Sequence, residues 1–274
     1  MPQQPSPDSL SYVAEGSGAP IILLHGLAAS RYDWQSLIPE LSSNGFRSYA
    51  VDLLGHGDSP KPDDPAGYTA ANVATILGRW LDEQHFKEPA VLIGHSLGGY
   101  LSLCLALERP QAFRGLILIN PLYTLGQLSP FLRLLNRRPE LGSRVLRATP
   151  LEVIDRLMGW DPTPVNRFSP EARLQIAIDY KRASPHMLRI PRSISDLTGR
   201  LPEISLPTLV IWGEHDLTLK PSSFDRLVSD IPAAIGTPVR QAGHQPHIGQ
   251  PDLVNQLILG FLAEIHVDEH HHRS

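Results

Sequence analysis

The apolar positions of this chain follow two alternating rhythms. Short apolar runs at 21–24, 90–93, 115–119 and 208–212, and the more mixed segment 47–52, have the length of strands, most of them covered on both faces. Residues 11–14 read as an earlier strand and 238–241 as a closing one. Between the runs, segments 34–41, 69–84, 96–107, 222–229 and 253–265 repeat apolar residues at helical spacing. Strand and helix in alternation predict an α/β fold with a mostly parallel central sheet and helices on both faces.

The rhythm breaks between 121 and 200. That stretch holds no convincing strand and is rich in Leu, Arg and Pro. Its prolines, from Pro121 to Pro191, cut it into short helical pieces, expected near 129–136, 151–158 and 170–182. The pattern predicts a helical cap at 121–200 inserted into a discontinuous core made of 1–120 and 201–274.

Chemistry enters where the run 90–93 stops. It ends in Gly94-His95-Ser96-Leu97-Gly98, and a helical stretch starts at once. A serine between strand and helix, with glycine two positions to either side, suits an exposed nucleophile on a tight turn. The helix N-terminus then supplies free N–H groups for a developing oxyanion. A serine hydroxyl needs a base, and the base needs an acid to orient it. Asp216 lies just past the run 208–212, with Glu214 a second carboxylate near the same strand end. His244 follows the last predicted strand, with His247 three residues on. The chain order Ser…Asp…His is the one expected when such a triad is built on this kind of sheet.

Four elements in order, Leu23-Leu24-His25-Gly26, the segment Asp52 to Ser59, Gly94-His95-Ser96-Leu97-Gly98, and Trp212 to Asp216 with Gly243-His244, resemble the α/β-hydrolase-fold superfamily of the esterase-like type over nearly the whole chain. The resemblance implies an α/β-hydrolase fold with Ser96 as nucleophile, His244 as general base then acid, and Asp216 as orienter. It implies an oxyanion hole from the backbone N–H groups of Leu27 and Leu97. The family spacing favours Asp216 over Glu214, and the Gly-His pair favours His244 over His247. His25, His56 and His95 are expected to bond loop backbone near the site, and 52–59 to form a structural loop. Dehalogenases and epoxide hydrolases of this fold carry aspartate where Ser96 stands. Two departures stand out: a short proline-rich start, which predicts the loss of the first edge strand, and Gly249 where many relatives carry glutamate.

Composition narrows the rest. The chain has 274 residues, 42% hydrophobic and 19% charged, which is ordinary for a globular protein. Its net charge of −4 carries no nucleic-acid footprint. The single cysteine, Cys104, sits in the helical stretch after Ser96 and reads as a buried apolar thiol. Neither a signal peptide nor a membrane span is expected, so the location is expected to be cytoplasmic. His270 to His272 read as a solvated tail, and no metal site or cofactor is expected because no ligand set has metal-site spacing. The charge is unevenly divided: residues 121–200 hold 13 basic and 7 acidic side chains, a local +6 against −10 elsewhere. Arg133, Arg137, Arg138, Arg144 and Arg147 are the dense part. They read as a solvated face, or as docking for an anionic substrate or acidic carrier protein.

The apolar residues of the cap, among them Tyr123, Leu125, Phe131 and Trp160, are expected to line a cleft over Ser96. The expected activity is hydrolysis of a small-molecule carboxylic ester with a mainly hydrophobic substrate. The alternatives are carbon–carbon bond hydrolysis, lactone opening or lyase chemistry with the same triad, and a non-catalytic ligand-binding protein on the same fold.

Overall fold

In the computed structural model, residues 9–129, 132–133, 136–159 and 168–271 are described. Seven strands form one sheet in the order β1-β3-β2-β4-β5-β6-β7. They are β1 (Tyr12–Gly16), β2 (Ala19–Leu24), β3 (Phe46–Val51), β4 (Ala90–His95), β5 (Phe113–Ile119), β6 (Thr208–Gly213) and β7 (Ala234–Val239). Only β1 is antiparallel, along β3; the other neighbours are parallel. The helices are α1 (Leu37–Ser43), α2 (Ala70–Gln84), α3 (Leu97–Glu108), α4 (Pro139–Ala148), α5 (Leu151–Gly159), α6 (Pro170–Arg182), α7 (Ser222–Asp230), the single turn α8 (Pro246–Gly249) and α9 (Pro251–His271).

The unbroken apolar runs are explained by the sheet being covered twice. Side chains alternate between faces along a strand. Ile22, Leu24, Leu92, Leu116, Leu118 and Val210 join the cluster that includes Val73, Leu77 and Trp80 of α2. Their neighbours Ile21, Leu23, Val91, Ile93, Ile117, Ile119, Leu209 and Ile211 join a second cluster with Leu37 and Leu41 of α1 and Val254, Ile258 and Leu262 of α9. The order of strands reverses at β2: the chain passes from β2 to β3 on one side, then returns to place β4 on the other. A crevice at the carboxyl ends of strands on either side of such a reversal is where open α/β sheets bind ligands. Leu27 follows β2 there, and Ser96 follows β4.

Three expectations change. The closing strand is Ala234–Val239, not 238–241; it is a half-exposed edge strand containing Gly236 and Pro238, and an edge tolerates a proline that a central strand would not. The expected helix at 34–41 divides into a 3-10 turn, Arg31–Trp34, and the helix α1. The helix α4 was not anticipated, because Pro139 reads as a breaker; it occupies the first turn, where its missing N–H costs nothing. The piece expected at 129–136 falls partly outside the described residues. Between β5 and β6 the described elements are all helical. Ser30 Oγ donates to Asp179 Oδ2 at 2.7 Å, and the Ser184 N–H donates to the Gly55 carbonyl at 2.7 Å, fastening this segment to the core. Among the described residues no helix is long and apolar enough to cross a membrane.

Candidate active site

β4 ends at His95 and α3 begins at Leu97, so Ser96 alone makes the turn. Its backbone sits at φ 51 and ψ −109. A non-glycine residue held there costs about 1–3 kcal/mol and persists only where its surroundings impose it. The Ser96 N–H donates to the Ile119 carbonyl at 3.0 Å, and its own carbonyl accepts from Tyr100 at 3.1 Å and Leu122 at 3.0 Å. The flanking glycines permit the close approach. A Cβ on Gly94 would lie 2.5 Å from the Gly98 carbonyl oxygen, and one on Gly98 would lie 2.0 Å from that of Leu24.

Two strand-end loops meet the serine. His244 Nε2 lies 3.0 Å from Ser96 Oγ, and His244 Nδ1 lies 2.7 Å from Asp216 Oδ2. Asp216 is buried beyond the end of β6 and accepts three further bonds: from Asn120 Nδ2 at 2.7 Å, and from the Thr218 and Leu219 N–H groups at 2.7 and 2.9 Å. Burial alone would raise its pKa, but the charge and hydrogen bond of His244 and the Leu219 and Asn120 donors outweigh it and hold the carboxyl below its ordinary value. The carboxylate therefore stays ionised against His244 Nδ1, which fixes the proton on that nitrogen and leaves Nε2 to accept from the serine hydroxyl. Glu214 is exposed and His247 is buried away from Ser96; neither enters this chain of bonds.

The Leu97 N–H opens α3, and the Leu27 N–H follows the Gly26 peptide; among the described residues neither has a protein acceptor. His25 holds that peptide. Its Nε2 accepts from the Leu53 N–H at 3.0 Å, so the ring proton is on Nδ1, 2.7 Å from the Gly26 carbonyl. In a planar trans peptide the carbonyl and the next N–H point opposite ways, so anchoring one aims the other. Burial depresses the pKa of His25, which keeps the ring neutral for this task. His56 is held by backbone in the same manner, its Nδ1–H donating to the Leu54 carbonyl at 2.9 Å, and burial pushes its pKa down to about 3.

Tyr123 is buried, its hydroxyl donating to the Ser223 carbonyl at 3.0 Å, and Leu125 is half-buried against the core. Phe131 and Trp160 lie outside the described residues. Cys104 is half-buried, and burial pushes its thiol up to about 11, well away from a reactive thiolate. Sequence reading missed Asn120, which follows β5 and grips Asp216; its only signal is being the first polar residue after a strand of the right sheet. Spacing also missed the meeting of Asp33, His95 and His247, three buried residues from distant parts of the chain.

The family model of the alpha/beta hydrolase fold matches residues 19–149. The AB hydrolase superfamily protein YfhM of Bacillus subtilis is 28% identical over 260 residues, covering 89% of this chain and 90% of that protein. A putative 2-succinyl-6-hydroxy-2,4-cyclohexadiene-1-carboxylate synthase of the same organism is 27% identical, covering 89% and 90%. Among solved structures, a malate-bound thermophilic esterase from Thermogutta terrifontis superposes with a TM-score of 0.79 at 28% identity, covering 94% of each chain. With the sheet order and the serine turn, these matches show that the chain has the alpha/beta hydrolase fold.

Proposed function

We propose that this protein is a cofactor-independent serine hydrolase of carboxylic esters. The observation that carries the reading is the unbroken chain Ser96–His244–Asp216, closed at 3.0 and 2.7 Å by loops from three different strands. Ser96 Oγ attacks the ester carbonyl as His244 Nε2 takes its proton. The Leu27 and Leu97 N–H groups receive the oxyanion. His244 then protonates the departing alcohol, and water activated by the same nitrogen releases the acid from the acyl-enzyme. The substrate is a small-molecule ester whose apolar part packs against the segment between β5 and β6. A fluorophosphonate probe should label the wild-type chain at Ser96. The variant Ser96→Ala should lose about 10⁴–10⁶-fold in p-nitrophenyl ester turnover with its fold intact. Full retained turnover would refute the assignment, and absence of labelling would favour a non-catalytic ligand-binding protein.

A second reading keeps the triad and changes the bond, to carbon–carbon hydrolysis or elimination on a carboxylate-bearing substrate. It is supported by the similarity to the putative carboxylate synthase and by a groove of about 240 Å³ on the helical segment that joins β5 to β6, where Arg144 and Arg147 stand beside His186 and the Arg189–Glu140 pair. The same groove suits an acidic carrier protein. If anions dock there, added salt should depress turnover of an anionic substrate steeply and that of a neutral ester little. An equal response of both removes the groove from the account.

A further inference from the structure

We propose that Asp33, His95 and His247 form a binding site for a zinc-class divalent ion beside the Ser96–His244–Asp216 chain. Asp33 lies in the 3-10 turn after β2, His95 is the last residue of β4, and His247 lies in the turn α8. Their side chains are 3%, 2% and 2% exposed, so water does not reach them freely. His95 Nδ1 is 3.9 Å and His247 Nε2 3.8 Å from Asp33 Oδ2, and the ligand atoms of all three lie within 4.8 Å of one another. Those separations are too long for hydrogen bonds. Asp33 Oδ2, His95 Nδ1 and both nitrogens of His247 are buried and have no hydrogen-bond partner. Unpartnered buried polar atoms are uncommon, and here three of the four, Asp33 Oδ2, His95 Nδ1 and His247 Nε2, lie close to one another.

The tautomer of His95 sharpens the argument. Its Nε2 is 2.8 Å from the His244 carbonyl oxygen, which can only accept, so Nε2 carries the ring proton. In the neutral ring, Nδ1 then presents a lone pair to the Asp33 carboxylate. Two electron-rich atoms facing each other in a dry interior call for a positive centre between them. Two imidazole nitrogens and one carboxylate oxygen are a zinc donor set, with one position left for water. A ligand histidine commonly donates its other N–H to a carbonyl, as His95 does to that of His244. Zinc bonds of about 2.0–2.2 Å place tetrahedral ligand atoms about 3.3 Å apart, so the Asp33–His95 and Asp33–His247 separations must each close by about half an ångström. Trp34 stacks on His247 with centroids 5.0 Å apart, fixing that ring's plane. Access is provided by a cavity of about 250 Å³ on whose wall Asp33 lies with Gln175, Ile248 and Gly249. A bound ion would tie together the turn after Leu27, the end of β4 before Ser96 and the turn after His244. Its ligands are positioning residues and take no part in the bond-breaking step.

The test is a titration of the chelator-treated full chain with Co²⁺, then Zn²⁺ in competition. It is run also on the H270A/H271A/H272A variant, which removes the tail's own donors. The expected result is one equivalent of Co²⁺ per chain in the tail variant, a visible spectrum of the tetrahedral type, and displacement by Zn²⁺. Asp33→Asn and His247→Gln, placed in the tail variant, should each weaken binding more than tenfold. Absence of a stoichiometric equivalent in the tail variant overturns the proposal, as does binding undiminished in Asp33→Asn. Either would mean that a water or a proton bridges the three side chains. Should the substituted chains fail to fold, the titration of the tail variant alone decides.

Discussion

Two sets of aspartate and histidine lie side by side in this molecule, touching where the rings of His95 and His244 approach to 4.9 Å. In the first, Asp216 and His244 have every side-chain heteroatom hydrogen-bonded, and the chain ends on Ser96, which is partly open to solvent. In the second, Asp33, His95 and His247 are all more deeply buried than His244, yet four of their heteroatoms have no hydrogen-bond partner. Residue type is the same in both; satisfaction of hydrogen bonds is what differs. A satisfied set that reaches solvent is prepared to move a proton, whereas an unsatisfied one in the interior is prepared to receive a cation.

The comparison breaks most sharply at Asp216. Asp216→Asn keeps the shape but removes the charge that sets the His244 tautomer, and kcat should fall about 10⁴-fold. Loss of less than tenfold would show that Asp216 does not orient the base. Asn120→Ala removes one bond to that carboxylate; a hydrogen bond to a charged group is worth about 1.5–3 kcal/mol, so kcat should fall about 10–100-fold with KM nearly unchanged. Asp33→Asn acts on the second set alone, and turnover of a p-nitrophenyl ester should change by less than about tenfold. A loss as large as that of Asp216→Asn would merge the two sets into one machine.

The smallest effect concerns stability. Asp179 of α6 is buried against the core, and that burial, with the carboxylates of Asp33 and Asp52, pushes its pKa up to about 6 despite bonds from Ser30 and Gln175. From the ordinary aspartate value of 3.8 up to about 6, the folded chain binds more protons at this residue than the unfolded chain. Stability from Asp179 is therefore lost as pH rises through that window, by about 3 kcal/mol once it is crossed. The buried His25 and His56 act oppositely, since their depressed pKa values make stability rise with pH up to about 6.5. Asp179→Asn shares the histidine contribution, so the difference in Tm between variant and wild type isolates the aspartate. That difference should grow between about pH 4 and pH 6 and level off above. A constant difference would remove Asp179 from the balance.

Much of this was legible along the chain because the signals are local. The strands β2, β4, β5 and β6 show as unbroken apolar runs, since each is covered on both faces. The serine turn shows because strand, glycines and helix are contiguous there. β7 was misplaced because an edge strand with Gly236 and Pro238 carries little apolar signal. Asn120 was invisible because its partner, Asp216, lies 96 residues away.

By itself the sequence determined the layered α/β architecture and the candidates Ser96, Asp216 and His244, since periodicity and motif order are properties of neighbouring residues. Only the tertiary structure decided which carboxylate and which imidazole reach the serine. It alone showed that Asp33, His95 and His247 converge. Partnering in a buried cluster is set by the packing of loops from opposite ends of the chain, and no local pattern records it.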